Sequence, residues 1–172
     1  MGFKKGYSFD EDPRGKDPIF SWMNNRVEGL HFKDGTTASS IGAAAHDFNA
    51  DASPGILVID GATKIYSEGL TDFDISNSGS AVPTGLDVDD AIVYTIVAYK
   101  GIGQDIALRV FAGNPALAAE AVALTDDEIG ARFDRKVTAF ALTEVKVTRT
   151  ATDALTIEFD DAVRPLHTYV RE

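Results

Sequence analysis

The sequence predicts a mainly β protein, an antiparallel β-sandwich or barrel with one or two short helices and an extended N-terminal arm. Three observations carry that expectation. Ala91–Tyr99 is an unbroken run of β-branched, aromatic and small apolar residues, the pattern of a strand covered on both faces. Val145 and Val147 alternate with Glu144, Lys146 and Thr148, and Leu155, Ile157 and Phe159 alternate with Thr156, Glu158 and Asp160. That period of two marks strands with one buried face. Turn signals such as Asp60-Gly61 separate short apolar runs, which adds up to about eight or nine short strands and little helix.

A chain of 172 residues with 44% hydrophobic side chains can bury one core, so a single β-rich domain over residues 26–172 is expected, preceded by an arm over residues 1–25. Acidic residues outnumber basic ones 27 to 16, for a net charge of −11. That balance disfavours nucleic acid, whose phosphates draw on clustered Lys and Arg, and it disfavours anionic membrane surfaces. The absence of cysteine excludes disulfides, thiolate catalysis and Cys-ligated zinc. The opening MGFKKGYSFDED has no apolar secretory core, and no apolar run is long enough to span a bilayer. Folding in a cytoplasm is the resulting expectation.

The arm comes first in the chain. Met1–Asp17 is dominated by Gly, Pro and charges of both signs, without periodicity, yet Phe3, Tyr7 and Phe9 punctuate it, and Phe20 and Trp22 follow. Spaced rings bury large apolar areas at low entropic cost, so these five residues are the candidate partner-binding anchors. Arg26–Lys33 reads as a first strand closed by Asp34-Gly35. Ser39 or Ser40 caps an expected short helix through Ile41–His46, weakened by Gly42. Ile56–Ile59 and Thr63–Ser67 flank the Asp60-Gly61 turn, Leu70, Phe73 and Ile75 form a weaker strand, and Ser76–Gly85 is loop-like.

Asp87–Ala112 is the expected centre, two strands joined by the turn Gly101-Ile102-Gly103-Gln104. Ile106, Leu108, Val110 and Ala112 alternate with Arg109, which places the second strand nearer an edge or a wet face. Asn114-Pro115 is a helix-start signal for two turns over Ala116–Ala123. Thr125 and Glu128 have capping-box spacing ahead of a helical turn through Ile129–Phe133. Phe140 and Leu142 have the opposite parity to Val145 and Val147, so a β-bulge or a crossing between sheets is required near Thr143-Glu144. Leu166–Val170 reads as a last, edge strand.

Catalytic signatures are weak. His31, His46 and His167 are far apart, with His31 in a strand and His46 beside Asp47 at an expected helix end. Acidic clusters recur at Asp10-Glu11-Asp12, Asp72/Asp74, Asp87/Asp89/Asp90, Asp126-Asp127-Glu128 and Asp160-Asp161. The Asp72/Asp74/Ser76/Ser78 spacing departs from a Ca²⁺ loop, because Asn77 holds the glycine position and Pro83 the bidentate acid. Gly101-Ile102-Gly103 begins a dinucleotide fingerprint that stops at Ile106. No residue is therefore assigned to catalysis, to a cofactor or to a metal. The expected function is a non-enzymatic assembly protein, a virion component such as a capsid decoration, connector or tail part. Its arm would dock on copies of itself or on other proteins of a larger assembly. The alternative is a β-sandwich module binding carbohydrate or another small ligand, with Trp22, Tyr66, Tyr94 or Tyr99 as its platform.

Overall fold

The described residues of the computed structural model are 25–34, 40–41, 46–47, 49–75, 86–151, 154–161 and 163–166. The first half contributes strands β1 (Asn25–Gly29), β2 (Phe32–Asp34), β3 (Ser40–Ile41), β4 (His46–Asp47), β5 (Asn49–Ala52), β6 (Gly55–Ile59), β7 (Ala62–Tyr66) and β8 (Leu70–Asp74). The second half contributes β9 (Asp90–Gly101), β10 (Ala107–Ala112), β11 (Ala116–Leu117), helix α1 (Asp126–Ala131), β12 (Val137–Ala151), β13 (Ala154–Asp160) and β14 (Arg164–Leu166). The protein is mostly strand, in several antiparallel sheets.

The expected central hairpin lies within the largest sheet, whose order is β10-β9-β12-β13. β11 continues the β10 side of β9, and β14 continues the β13 side of β12. β9 is central and buried at both parities. Ile92, Tyr94, Ile96 and Ala98 enter the larger core, while Val97 joins Phe111, Ile129 and Phe133 on the other face. The first face is covered by the small sheets β1-β6-β7 and β2-β5-β8, through Leu57, Ile59, Phe32 and Ala50. The second is covered in part by α1 and the segment leading to it. β10 is an edge strand, and Arg109 on it lies 4.8 Å from the Phe111 ring centroid and 5.7 Å from that of Phe133. There the guanidinium gains from the ring quadrupoles while staying wet at its rim.

The parity change in the last long strand has the anticipated cause. The β12–β9 register shifts between Ala141 and Thr143, so Leu142 is an extra residue opposite the continuous β9. The bulge keeps Phe140, Leu142, Val145 and Val147 against the larger core, while Val137, Ala139 and Ala141 serve the smaller one. The bulged Thr143 is fully buried, and its hydroxyl donates to the Asp160 carbonyl at 2.8 Å, fixing β13 at this point.

Arg26–Lys33 is not one strand. Gly29 (φ 67°) and Leu30 (φ 60°) take the left-handed conformation and divide it into β1 and β2. Across from them Ser53-Pro54 divides β5 from β6, and Leu30 N–H donates to the Pro54 carbonyl at 3.3 Å while Ser53 N–H donates to His31 O at 3.0 Å. The result is one antiparallel ribbon bent at a corner, with β1 and β6 in one small sheet and β2 and β5 in the other. Gly55 makes the corner tight, since a Cβ there would lie 2.4 Å from Leu30 N.

Two expected helices are strands or turns instead. Ser40–Ile41 pairs with His46–Asp47 as a short ladder, not as a helix through Ile41–His46. So short a helix makes few internal bonds, and Gly42 removes part of what propensity offers. Ala116–Ala123 is no helix either. Ala116 and Leu117 pair with Ala91 and Asp90, Ala118 N–H donates to Asp89 O at 2.9 Å, and one turn closes with Ala121 N–H on Leu117 O at 3.0 Å. Beyond the end of β10 the β9 edge still offers unpaired backbone groups, and they outcompete alanine's helix propensity. The capping box is present as spelled in the sequence. Glu128 N–H donates to Thr125 Oγ1 at 3.3 Å, and Thr125 N–H donates to Glu128 Oε2 at 2.8 Å. Of the expected last strand Leu166–Val170 only Leu166 is described, at the end of β14 (Arg164–Leu166), and residues 167–170 lie outside the described residues.

Candidate functional site

The arm anchors Phe3, Tyr7, Phe9, Phe20 and Trp22 lie outside the described residues, as do His167, Ser76–Gly85 and the Asp10–Asp12 acids. Of the histidines, His46 is in β4 and not at a helix end. His31 sits at the ribbon corner, where its Nδ1 lies 3.0 Å from Asp161 Oδ2 and its backbone N–H donates to Ser53 Oγ at 2.9 Å. A carboxylate on Nδ1 is how a general base is oriented, and a serine is close by. The Ser53 hydroxyl, however, is engaged by the backbone of His31 and not by its ring. The His31 side chain is also 70% exposed, so water screens the pair.

The acids of the described residues are held by different partners. Asp87, Asp89 and Asp90 enter β9, where Asp89 and Asp90 are held by backbone bonds to Arg149 O and Asp87 O at 2.7 and 3.2 Å. Asp126 and Glu144 share the Arg164 guanidinium, at 3.2 and 2.8 Å. Burial opposes that cation, but its bonds to Glu144 and Asp126 outweigh burial and raise its pKa. Asp51, on β5, is 8% exposed and accepts the Asp72 N–H at 2.9 Å, which makes it a structural carboxylate at a bulge. Among the described residues no three His, Cys, Asp or Glu side chains gather as metal ligands would. The glycine turn closes with Gln104 N–H on Gly101 O at 3.2 Å and leads into a strand, so it forms no phosphate cradle.

Of the aromatic platform, Trp22 lies outside the described residues. Tyr94 is 1% exposed, and Tyr99 is half-buried with its ring 5.1 Å from that of Phe133. Tyr66 is half-buried at the end of β7, with the Lys64 ammonium 5.9 Å from its centroid.

A different surface carries the recognition chemistry. On the face of the large sheet beyond α1, a groove of about 460 Å³ lies between the strap Ala121–Ala123 and β13. Val93, Val122 and Phe159 line it with Lys146, Glu144, Glu158 and Asp160. The alternation of β12 and β13 places these charges. Lys146 pairs in register with Val93 and Glu158, and Glu144 with Asp160. Two of the charges are already committed, Glu144 to Arg164 and Lys146 Nζ to the Ala118 carbonyl at 2.6 Å. The strap exposes Val122 at 72% on the groove wall, and Leu117, in β11 ahead of the strap, is 56% exposed.

Comparison of the chain with protein-family models, curated proteins and solved structures gives no match. Function is therefore argued from this surface and from the arm. Sequence reasoning missed the groove because its walls come from three strands and a segment expected to be helical. The one local signal was the row Glu144, Lys146, Glu158 and Asp160 on the polar face of two strands.

Proposed function

We propose that the protein is a non-enzymatic assembly component whose N-terminal arm docks on neighbouring subunits. The setting its Ala-, Gly-, Thr- and Asp-rich sequence suggests is a virion, as a decoration, connector or tail part. The observation that carries the reading is the strap, with Val122 72% exposed at the wall of an acid-lined groove. Covering a Val side chain is worth about 1.5–3 kcal/mol, and an exposed apolar group on the wall of a charged groove suits a surface that meets a partner. The aromatic-dotted arm supplies side chains of the matching kind.

The test compares the full chain with a chain lacking Met1–Asp17 by light scattering. The buried core residues of the described part run from Leu30 to Leu166, so the truncated domain keeps its core. The full chain is expected at a multiple of 18.4 kDa and the truncated chain at the mass of a single copy. Equal oligomer mass for both chains, or a monomeric full chain, would overturn the reading.

A further inference from the structure

We propose that the groove between the strap and β13 is the seat of the arm and receives the stretch Phe3–Tyr7 of a neighbouring copy. Phe3 and Tyr7 would lie against Val122 and the alanines of the strap, and Lys4 and Lys5 against Glu158 and Asp160, while Phe159 faces the larger core from the other side of β13. The inference rests on the assembly reading above and adds to it which surface and which residues meet.

Charge selects this pairing. With Glu144 paired to Arg164, the groove keeps the Lys146 ammonium, bonded to the neutral Ala118 carbonyl, against the two exposed carboxylates of Glu158 and Asp160, which make no ion pair among the described residues, so negative charge is in excess. Its net requirement is a cation beside an apolar group. Most of this chain cannot supply that, since its net charge is −11. The stretch Met1–Phe9 (MGFKKGYSF) can, with Lys4 and Lys5, no acid, and rings on either side of the lysines. Its boundary is equally informative. Asp10-Glu11-Asp12 follows at once, and those acids would be repelled by Glu158 and Asp160, so the register stops short of them. The groove volume of about 460 Å³ lies in the range of clefts that bury a few side chains.

The arm is long enough to reach a groove. The described chain begins at Asn25, whose Oδ1 accepts the Asp60 N–H, and Asp60 in turn accepts the Thr138 hydroxyl. Thr138 and Lys146 lie on one strand, roughly 26 Å apart along β12. Residues 10–24 span up to about 50 Å when extended, which exceeds the roughly 26 Å along β12, so length does not confine the arm to the edge of the sheet where it begins.

The test uses four full-length proteins, the wild type, Lys4→Glu with Lys5→Glu, Glu158→Lys with Asp160→Lys, and all four changes together. Light scattering at low ionic strength reads oligomer mass, and circular dichroism confirms the fold. Each double variant is expected to weaken association at least tenfold, and the combined variant to recover it, because the charges are exchanged and not lost. If the lysines unfold β13, Glu158→Gln with Asp160→Gln replaces them, with weaker association expected. Wild-type mass for the groove variant, when the arm variant or the Met1–Asp17 deletion has lost it, would overturn the groove as seat and leave the assembly reading standing. Failure of the combined variant to recover mass would overturn the pairing. An arm deletion without effect on mass would overturn both.

Discussion

The Thr138 hydroxyl donates to Asp60 Oδ2 across 2.6 Å, a bond between residues 78 positions apart. It joins the large sheet to the turn between β6 and β7, and Asn25 Oδ1 extends the chain of bonds by accepting the Asp60 N–H at 3.1 Å. The group is exposed, so Thr138→Val is expected to destabilise by about 0.5–1 kcal/mol. Asp60→Gly keeps the left-handed turn conformation (φ 49°) and removes the acceptor. Urea unfolding of both single variants and the double variant should give a double-variant loss smaller than the sum. Strict additivity would mean that the bond contributes nothing to holding the sheets together.

Gly55, like Gly29 across from it, sits where the bent ribbon approaches itself closely. A Cβ there would lie 2.4 Å from Leu30 N and 2.7 Å from Glu28 O, both backbone atoms that cannot turn aside. Gly55→Ala should therefore cost about 3 kcal/mol through a forced shift of the corner. Gly103 is the control. It has φ 70° with open space around it, so Gly103→Ala should cost about 1 kcal/mol from backbone conformation alone. Chemical denaturation compares the two, and equal losses would refute the close approach.

How much of this was legible follows from where each signal is stored. β9 could be read because burial on both faces writes apolar residues at both parities from Ala91 to Tyr99. The bulge at Leu142 could be read because Phe140 and Val147 serve one core from opposite parities. The cap of α1 is a contact between residues three apart. The strap was misread because alanine propensity says nothing about the free backbone at Asp90 and Ala91, which captures Ala116 and Leu117. The corner was missed because its bend needs Leu30, a residue ordinarily excluded from positive φ, to face Pro54 in the break between β5 and β6, far along the chain. Arg164 could not be assigned Glu144 and Asp126 from sequence, because three separate elements bring those groups together.

The capping box makes helix α1 sensitive to acid. The Thr125 backbone N–H first, and its hydroxyl second, hold the Glu128 carboxyl below its ordinary range. The carboxylate is thus favoured in the folded chain. Its contribution is complete above the unfolded value, about 4.3, and is lost as pH falls through the folded value. Thr125→Ala should cost about 1 kcal/mol at neutral pH, roughly 3 °C in Tm. Glu128→Gln should flatten the part of the Tm–pH curve below about pH 4.5 that this group supplies. An unchanged acid limb in the Glu128 variant would assign that limb to other carboxylates.

Tyr94 makes the opposite limb sensitive. Its side chain is 1% exposed in the larger core, and burial pushes its phenol up to about 12. Burial favours the neutral ring, so the stability it brings is intact below about pH 10, the unfolded value, and drains away as pH rises through about 12. Ultraviolet titration of the five tyrosines should show a late phenolate step that coincides with loss of the folded circular-dichroism signal. Tyr94→Phe should remove that step and make the fall of Tm between pH 10 and 12 shallower. Ionisation of every tyrosine near pH 10 in a protein that stays folded would contradict the burial of Tyr94 and, with it, the covering of β9 by the two small sheets.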